Sequence, residues 1–170
     1  MGSGDGGRYS GTSGSRGGSG PYARVMHSRV YTWAERKAAS LEETSKRQRD
    51  KFTTASVVYD ESTGKYYYGM NRGIKIDDAP KNPILFGNDT QKGILPDKSL
   101  NNYSVGNCAE VHAINKALND GAKLSNLHIT TIHTTKNRMG DGKRACENCT
   151  YSFKRRISHN NTGWFKKGEQ

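Results

Sequence analysis

Cys108, Cys146 and Cys149 are the only cysteines among 170 residues. Two of them form Cys146-Glu147-Asn148-Cys149, and the third stands two residues before a carboxylate in Cys108-Ala109-Glu110. A catalytic zinc ion takes three protein ligands, thiolates among them, and leaves a fourth position open for water. Glu110 is too near Cys108 along the chain to be a comfortable fourth ligand, but it can reach a water at the open position and move its protons. The pattern therefore predicts Zn2+ on Cys108, Cys146 and Cys149, with Glu110 as the catalytic carboxylate. A second arrangement uses much the same residues. His112, four positions after Cys108 on the same helical face, would close a Cys3His structural site and leave Glu110 as a solvated helix residue. Three cysteines at this lopsided spacing do not suit a secreted disulfide scaffold, which needs them in pairs. Metal binding also protects thiols in a reducing compartment.

Such ligands need rigid elements behind them. Cys108 opens a helix expected to run to about Asp120, with Asn107 as its N-cap, an apolar stripe at Val111, Ile114, Ala117 and Leu118, and Gly121 as its stop. Cys146 begins another helix, reaching roughly to Ile157. Both ligand groups thus fall at helix N-termini, where the dipole and the free N–H groups favour thiolates. Cys146 and Cys149 face one way from a single turn, so the metal would staple two helices together. Three thiolates leave the centre negatively charged and a weak Lewis acid; Arg144, two residues before Cys146, is the candidate compensating cation.

Residues 31–50 read as a weakly amphipathic helix, with Tyr31, Ala34, Ala38 and Leu41 at helical spacing. Thr53–Asp60 and Lys65–Arg72 read as a β-hairpin across the turn Glu61-Ser62-Thr63-Gly64. Tyr66–Tyr68 are assigned to the strand's two faces rather than to base stacking. Residues 73–106, with Pro80, Pro83 and Pro96, read as a long irregular segment, a feature that inside a compact domain is usually functional. Leu127–Thr135 reads as a buried strand, on which the odd separation of His128 and His133 sends them to opposite faces, as packed histidines rather than ligands. A basic loop, Lys136–Ala145, follows. A short strand is expected around Gly163–Phe165, with Trp164 in the core. This alternation of elements makes a layered α/β domain.

Residues 1–20 hold nine Gly and five Ser and read as a flexible linker or tail, leaving 21–170 as one domain. No stretch is apolar for long enough to cross a membrane, and no signal peptide opens the chain. The net charge is +11. Lys136, Arg138, Lys143, Arg144, Lys154, Arg155 and Arg156 crowd around the second cysteine motif, and a basic rim at a catalytic pocket suits a polyanionic substrate.

The run Asn107-Cys108-Ala109-Glu110-Val111-His112-Ala113-Ile114-Asn115-Lys116-Ala117-Leu118, followed by Cys146-Glu147-Asn148-Cys149, resembles the cytidine deaminase superfamily. Within it the chain is similar to the bacterial polymorphic-toxin deaminases, in particular the YwqJ-like group; the hairpin ending in Gly69-Met70-Asn71-Arg72-Gly73 fits too. The resemblance spans about residues 31–157. It implies a three-layer α/β/α sandwich with a central mixed sheet, zinc on Cys108, Cys146 and Cys149, and Glu110 as proton shuttle. It also implies that the Ala109 N–H binds the base carbonyl, that a carbonyl near Arg144 receives the exocyclic amine, and that Asn71 or Asn107 contacts the sugar. The activity it implies is hydrolysis of cytosine to uracil in nucleic acid, single-stranded DNA first. The domain would be the toxic part of a secreted effector acting in the cytoplasm of a target cell, monomeric and restrained by an acidic immunity protein. Two departures stand out. Many members carry Pro where this chain has Ala145, and only 21 residues follow Cys149, where one or two further strands are expected. A free cytidine or nucleotide deaminase, and a non-catalytic structural-zinc module that binds nucleic acid, are the alternatives; +11 and the basic N-terminal helix argue against the first.

Overall fold

Residues 17–168 are described by a computed structural model. The strand formers Thr54–Asp60 (β1) and Lys65–Met70 (β2) pair antiparallel, from Ala55 opposite Met70 to Asp60 opposite Lys65. Asp60 closes the turn between them by accepting from the Ser62 N–H at 2.9 Å, and Gly64 supplies a left-handed φ of 77°. Leu127–His133 (β3) lies on the other side of β1, also antiparallel, and His159–Asn160 (β4) runs parallel to β3. The result is a mixed four-stranded sheet in the order β2-β1-β3-β4.

The helices are α1 (Ala23–Thr44), α2 (Lys46–Lys51), α3 (Gly73–Asp77), α4 (Pro83–Phe86), α5 (Ala109–Asn119) and α6 (Glu147–Phe153). Strand alternation sends Ala55, Val57 and Ile132 to one face of the sheet and Val58, Leu127 and Ile129 to the other. On the first face α1 lays down Met26, Val30, Ala34 and Ala38 at four-residue intervals. On the second, α5 buries Val111, Ile114, Ala117 and Leu118, and Phe153 of α6 joins the same cluster. Each fully buried Val, Ile, Leu or Phe contributes about 1.5–3 kcal/mol, so two such clusters make a three-layer α/β/α sandwich self-supporting.

Several boundaries differ from expectation. The N-terminal helix starts at Ala23 rather than 31, because Met26 and Val30 extend its stripe. It breaks at Ser45, whose extended backbone and side chain, accepting from the Gln48 N–H at 3.2 Å, start α2. Cys108, not Asn107, is the N-cap of α5; the Asn107 carbonyl instead accepts from the Arg72 N–H at 2.8 Å. α6 ends at Phe153, short of Ile157. No strand forms at Gly163–Phe165, where the Gly163 carbonyl accepts from the Ala145 N–H at 2.9 Å; the last strand is His159–Asn160. Trp164 packs against the core, as expected. Residues 73–106 contain α3 and α4, and buried Asn115 ties the segment down from α5, accepting from the Asn82 N–H and donating to the Pro80 carbonyl, both at 2.8 Å. Residues 1–16 of the glycine-rich stretch lie outside the described residues. Its last part is packed: the Ser19 N–H donates to the Asn161 carbonyl at 2.9 Å, and a Cβ on Gly18 would sit 1.6 Å from that same oxygen. No helix among the described residues is long and apolar enough to cross a membrane.

Candidate functional site

The sheet face under α5 is apolar at one end and polar at the other. Val58, Leu127 and Ile129 give way to Thr54, Ser56 and Thr131, all buried. The start of α5 lies close over this polar end because two glycines make room. A Cβ on Gly69 would meet the Ala109 carbonyl oxygen at 2.5 Å, and one on Gly73 would meet His112 Nδ1 at 1.8 Å.

That placement brings the cysteines together. Cys108 caps α5, Cys146 caps α6, and Cys149 lies in the first turn of α6. Their three Sγ atoms all lie within 4.8 Å of one another, with Cys108 and Cys146 at 3.3 Å. Hydrogen bonding from Cys108 and then Cys149 pushes the Cys146 thiol down, while Cys108, bonded to Cys146, and Cys149, bonded to Cys108, are pushed up. A cation bound among them would favour the thiolate form of all three. Tetrahedral zinc with sulfur at about 2.3 Å needs its thiolates roughly 3.8 Å apart, so this donor set fits the ion.

Glu110 follows from the first turn of α5 and is only 4 % exposed. Its Oε1 lies 4.0 Å from Cys149 Sγ, and its Oε2 accepts from Thr131 Oγ1 at 3.2 Å. Ser56 Oγ sits 2.7 Å from the same Thr131 oxygen, so the hydroxyl that donates to Glu110 is itself held by a donor. Burial pushes the Glu110 carboxyl up, and the Lys143 ammonium opposes it.

A cavity of about 370 Å³ opens beside this cluster. Cys108, Ala109, Glu110 and Cys146 form its reactive part; Thr54, Asn71, Arg72, Tyr103, Asn107 and Lys143 are among the other lining residues. Glu110 is the one carboxylate among them. The Ala109 N–H belongs to the first turn of a helix, where no intrahelical acceptor exists, and is available to an acceptor in the cavity.

Other anticipated residues sit differently. Asn71 lines the cavity, but its amide serves the fold: Oδ1 accepts from the Thr53 and Thr54 N–H groups at 3.0 and 3.1 Å, and Nδ2 donates to the Lys51 carbonyl at 2.8 Å. Arg144 is exposed and lines a separate concavity with His159–Gly163. Its neighbour Lys143 lines the reactive cavity instead, together with Arg72. The Lys143 N–H bonds the Thr131 carbonyl at 2.9 Å and Gly142 bridges to Ile132, so the segment is extended along β3 and alternate residues point opposite ways. Ala145 is buried and its N–H is used, a bond that proline could not make.

His112 does not complete the metal site. Its Nδ1 accepts from the Met70 N–H at 3.0 Å and its Nε2 lies 2.6 Å from Asp77 Oδ2, so both ring nitrogens are engaged away from the sulfurs. His128 and His133 do face opposite sides of the sheet, and His128 Nε2 pairs with Glu61 at 2.5 Å. Tyr66 lies under Arg29 at 4.1 Å, Tyr68 stacks on Trp33, and Tyr67 donates to Asp120. Sequence reasoning missed Ser56, Thr131, Arg72 and Tyr103. Only the first two left a signal, as small polar residues in strands that elsewhere supply core positions.

No protein-family model, no curated protein and no solved structure matches the chain. Fold and site define a layered α/β protein with a three-cysteine, metal-compatible cluster and a carboxylate on one wall of a cavity.

Proposed function

We propose that this chain is a zinc-dependent deaminase that hydrolyses cytosine to uracil in single-stranded nucleic acid, releasing ammonia. The observation that carries the reading is Glu110: a buried carboxylate, oriented by Thr131, beside three clustered thiols and open to a cavity of nucleoside size. Zinc, when bound, supplies Lewis acidity and an acidified water. Glu110 accepts the water's proton and returns protons to the ring nitrogen and the departing amine. Its raised pKa suits a group that must hold the proton between those transfers. In this reading the Ala109 N–H, at a helix N-terminus on the cavity wall, holds the base carbonyl. Lys143 offsets the negative charge of the thiolates.

A polyanionic substrate is favoured by the cations at the cavity. Arg72 and Lys143 line it, and the exposed Lys51 has its pKa lowered by Arg47 and then Arg72, so cations extend outward from Arg72. Repulsion among them is relieved by phosphates. The toxin role, with an acidic immunity protein as restraint, rests on the sequence resemblance.

Incubation of the chain and its Glu110→Ala variant with single-stranded DNA, duplex DNA, RNA and free cytidine, read by sequencing of the polymers and by ammonia release from the nucleoside, tests the reading. Cytosine-to-thymine changes in a single-stranded pool that vanish in the variant, with one zinc per chain retained, are expected. Conversion of free cytidine alone would reassign the chain to nucleoside metabolism. Silence throughout, from zinc-loaded protein, would remove the enzymatic reading.

A further inference from the structure

The cavity carries an aromatic ring that this chemistry does not use. Tyr103 lines the cavity yet is 67 % exposed, and among the described residues its ring has neither a hydrogen-bond nor a stacking partner. The loop beneath it is tightly specified. Asn148, between Cys146 and Cys149 and only 3 % exposed, accepts from the Leu100 N–H at 2.8 Å through Oδ1. Its Nδ2 donates to Ser99 Oγ at 3.0 Å and to Asn101 Oδ1 at 3.2 Å. Asn101 Oδ1 in turn accepts from the Tyr103 N–H at 2.8 Å, and Ser99 Oγ donates to the Tyr103 carbonyl. One buried amide, anchored in the helix that bears two of the three cysteines, thus fixes both backbone polar groups of Tyr103.

We infer that Tyr103 is a stacking platform for the base next to the reacting one in a single-stranded nucleic acid, and that Asn148 is the residue that positions it. The inference rests on the nucleic-acid reading above. A target base inside the cavity leaves its neighbour at the mouth, where a solvated ring offers a flat apolar face, and Arg72 on the same cavity provides a cation for the backbone between them. A free nucleoside has no second base, so this contact selects polymer over monomer. Every base has a π-face, so the contact tolerates sequence while demanding an unpaired strand.

The test is binding, which does not depend on turnover. Fluorescein-labelled DNA and RNA 11-mers with one central cytosine are titrated by anisotropy against zinc-loaded Glu110→Ala protein. The same oligonucleotides are used with the base 5′ or 3′ of the cytosine replaced by an abasic site. Adding Tyr103→Ala should weaken binding to the intact strand roughly 5- to 150-fold, the range for one lost stacking contact. Removing one of the two neighbouring bases should weaken the parent equally and cost Tyr103→Ala nothing more; Tyr103→Phe and Tyr103→Trp should restore affinity. Asn148→Ala, with zinc content unchanged, should reproduce the loss. Equal affinity of Tyr103→Ala and its parent for the intact strand, or losses that multiply instead of overlapping, would overturn the stacking role. An unaffected Asn148→Ala would overturn the positioning role. Coupling without cytosine conversion in any pool by the native chain would leave the platform standing and sink the deaminase reading; conversion without coupling would do the reverse.

Discussion

His112 separates the catalytic zinc arrangement from the closed structural one. In the closed arrangement it is a ligand and its loss releases zinc. Here its ring joins α5 to Met70 at the end of β2 and to Asp77 in α3, and it is 2 % exposed. Burial, and then Lys116, hold the imidazole below its usual range against the pull of Asp77, with Lys37 adding to the depression. The unfolded chain therefore binds a proton that the folded chain resists. The stability from the neutral ring is fully present above about pH 6.5 and is lost as pH falls below it. We expect His112→Gln to keep one zinc per chain while lowering the melting temperature. We also expect the fall in melting temperature between about pH 7.5 and about pH 5.5, in excess zinc, to be smaller in the variant than in the native chain. Metal analysis and calorimetry read both; a zinc-free variant would revive the four-ligand site.

At the scale of elements, the approach of α5 to the sheet decides whether the cysteines meet at all. Gly73 touches His112 so closely that no side chain fits without displacing the ring. Gly73→Ala should destabilise the fold by at least about 2 kcal/mol, as overpacking at rigid contacts does. His112→Ala in the same chain should recover part of that loss, because it removes the atoms in conflict. Denaturant unfolding of the two single variants and the double variant measures the coupling, and strictly additive losses would refute the clash. The elements around this contact were unevenly legible in the sequence. The hairpin could be read because runs of β-branched and aromatic residues flank a four-residue turn, and the helix after Cys108 because its stripe is regular. α3 and α4 could not, since bonds from Asn115, some 30 residues away, help hold their segment. The choice of Lys143 over Arg144 was hidden for a related reason. It depends on a backbone run along β3 that local spacing does not encode. The cysteine cluster itself was legible because its thiols are chemically unmistakable and two of them share one helical turn.

For the molecule as a whole, a net charge of +11 is compatible with a stable sandwich because the two apolar clusters lie on either side of the sheet while the lysines and arginines are mostly at its surface. The sheet finishes in a strand of two residues, and the chain's early segment lies against it through Ser19 and Gly18. Unpaired strand borders invite other strands to add on, and proteins commonly blunt them with a covering segment. Gly18, Ser19 and Gly20 lie at this border, and we predict that they hinder self-association there. Cutting the chain back to Pro21 should leave the cysteine cluster and cavity in place but make the protein prone to form particles on warming. Light scattering during a thermal ramp would detect this, and equal onset temperatures for the shortened and full chains would mean that this cover is idle.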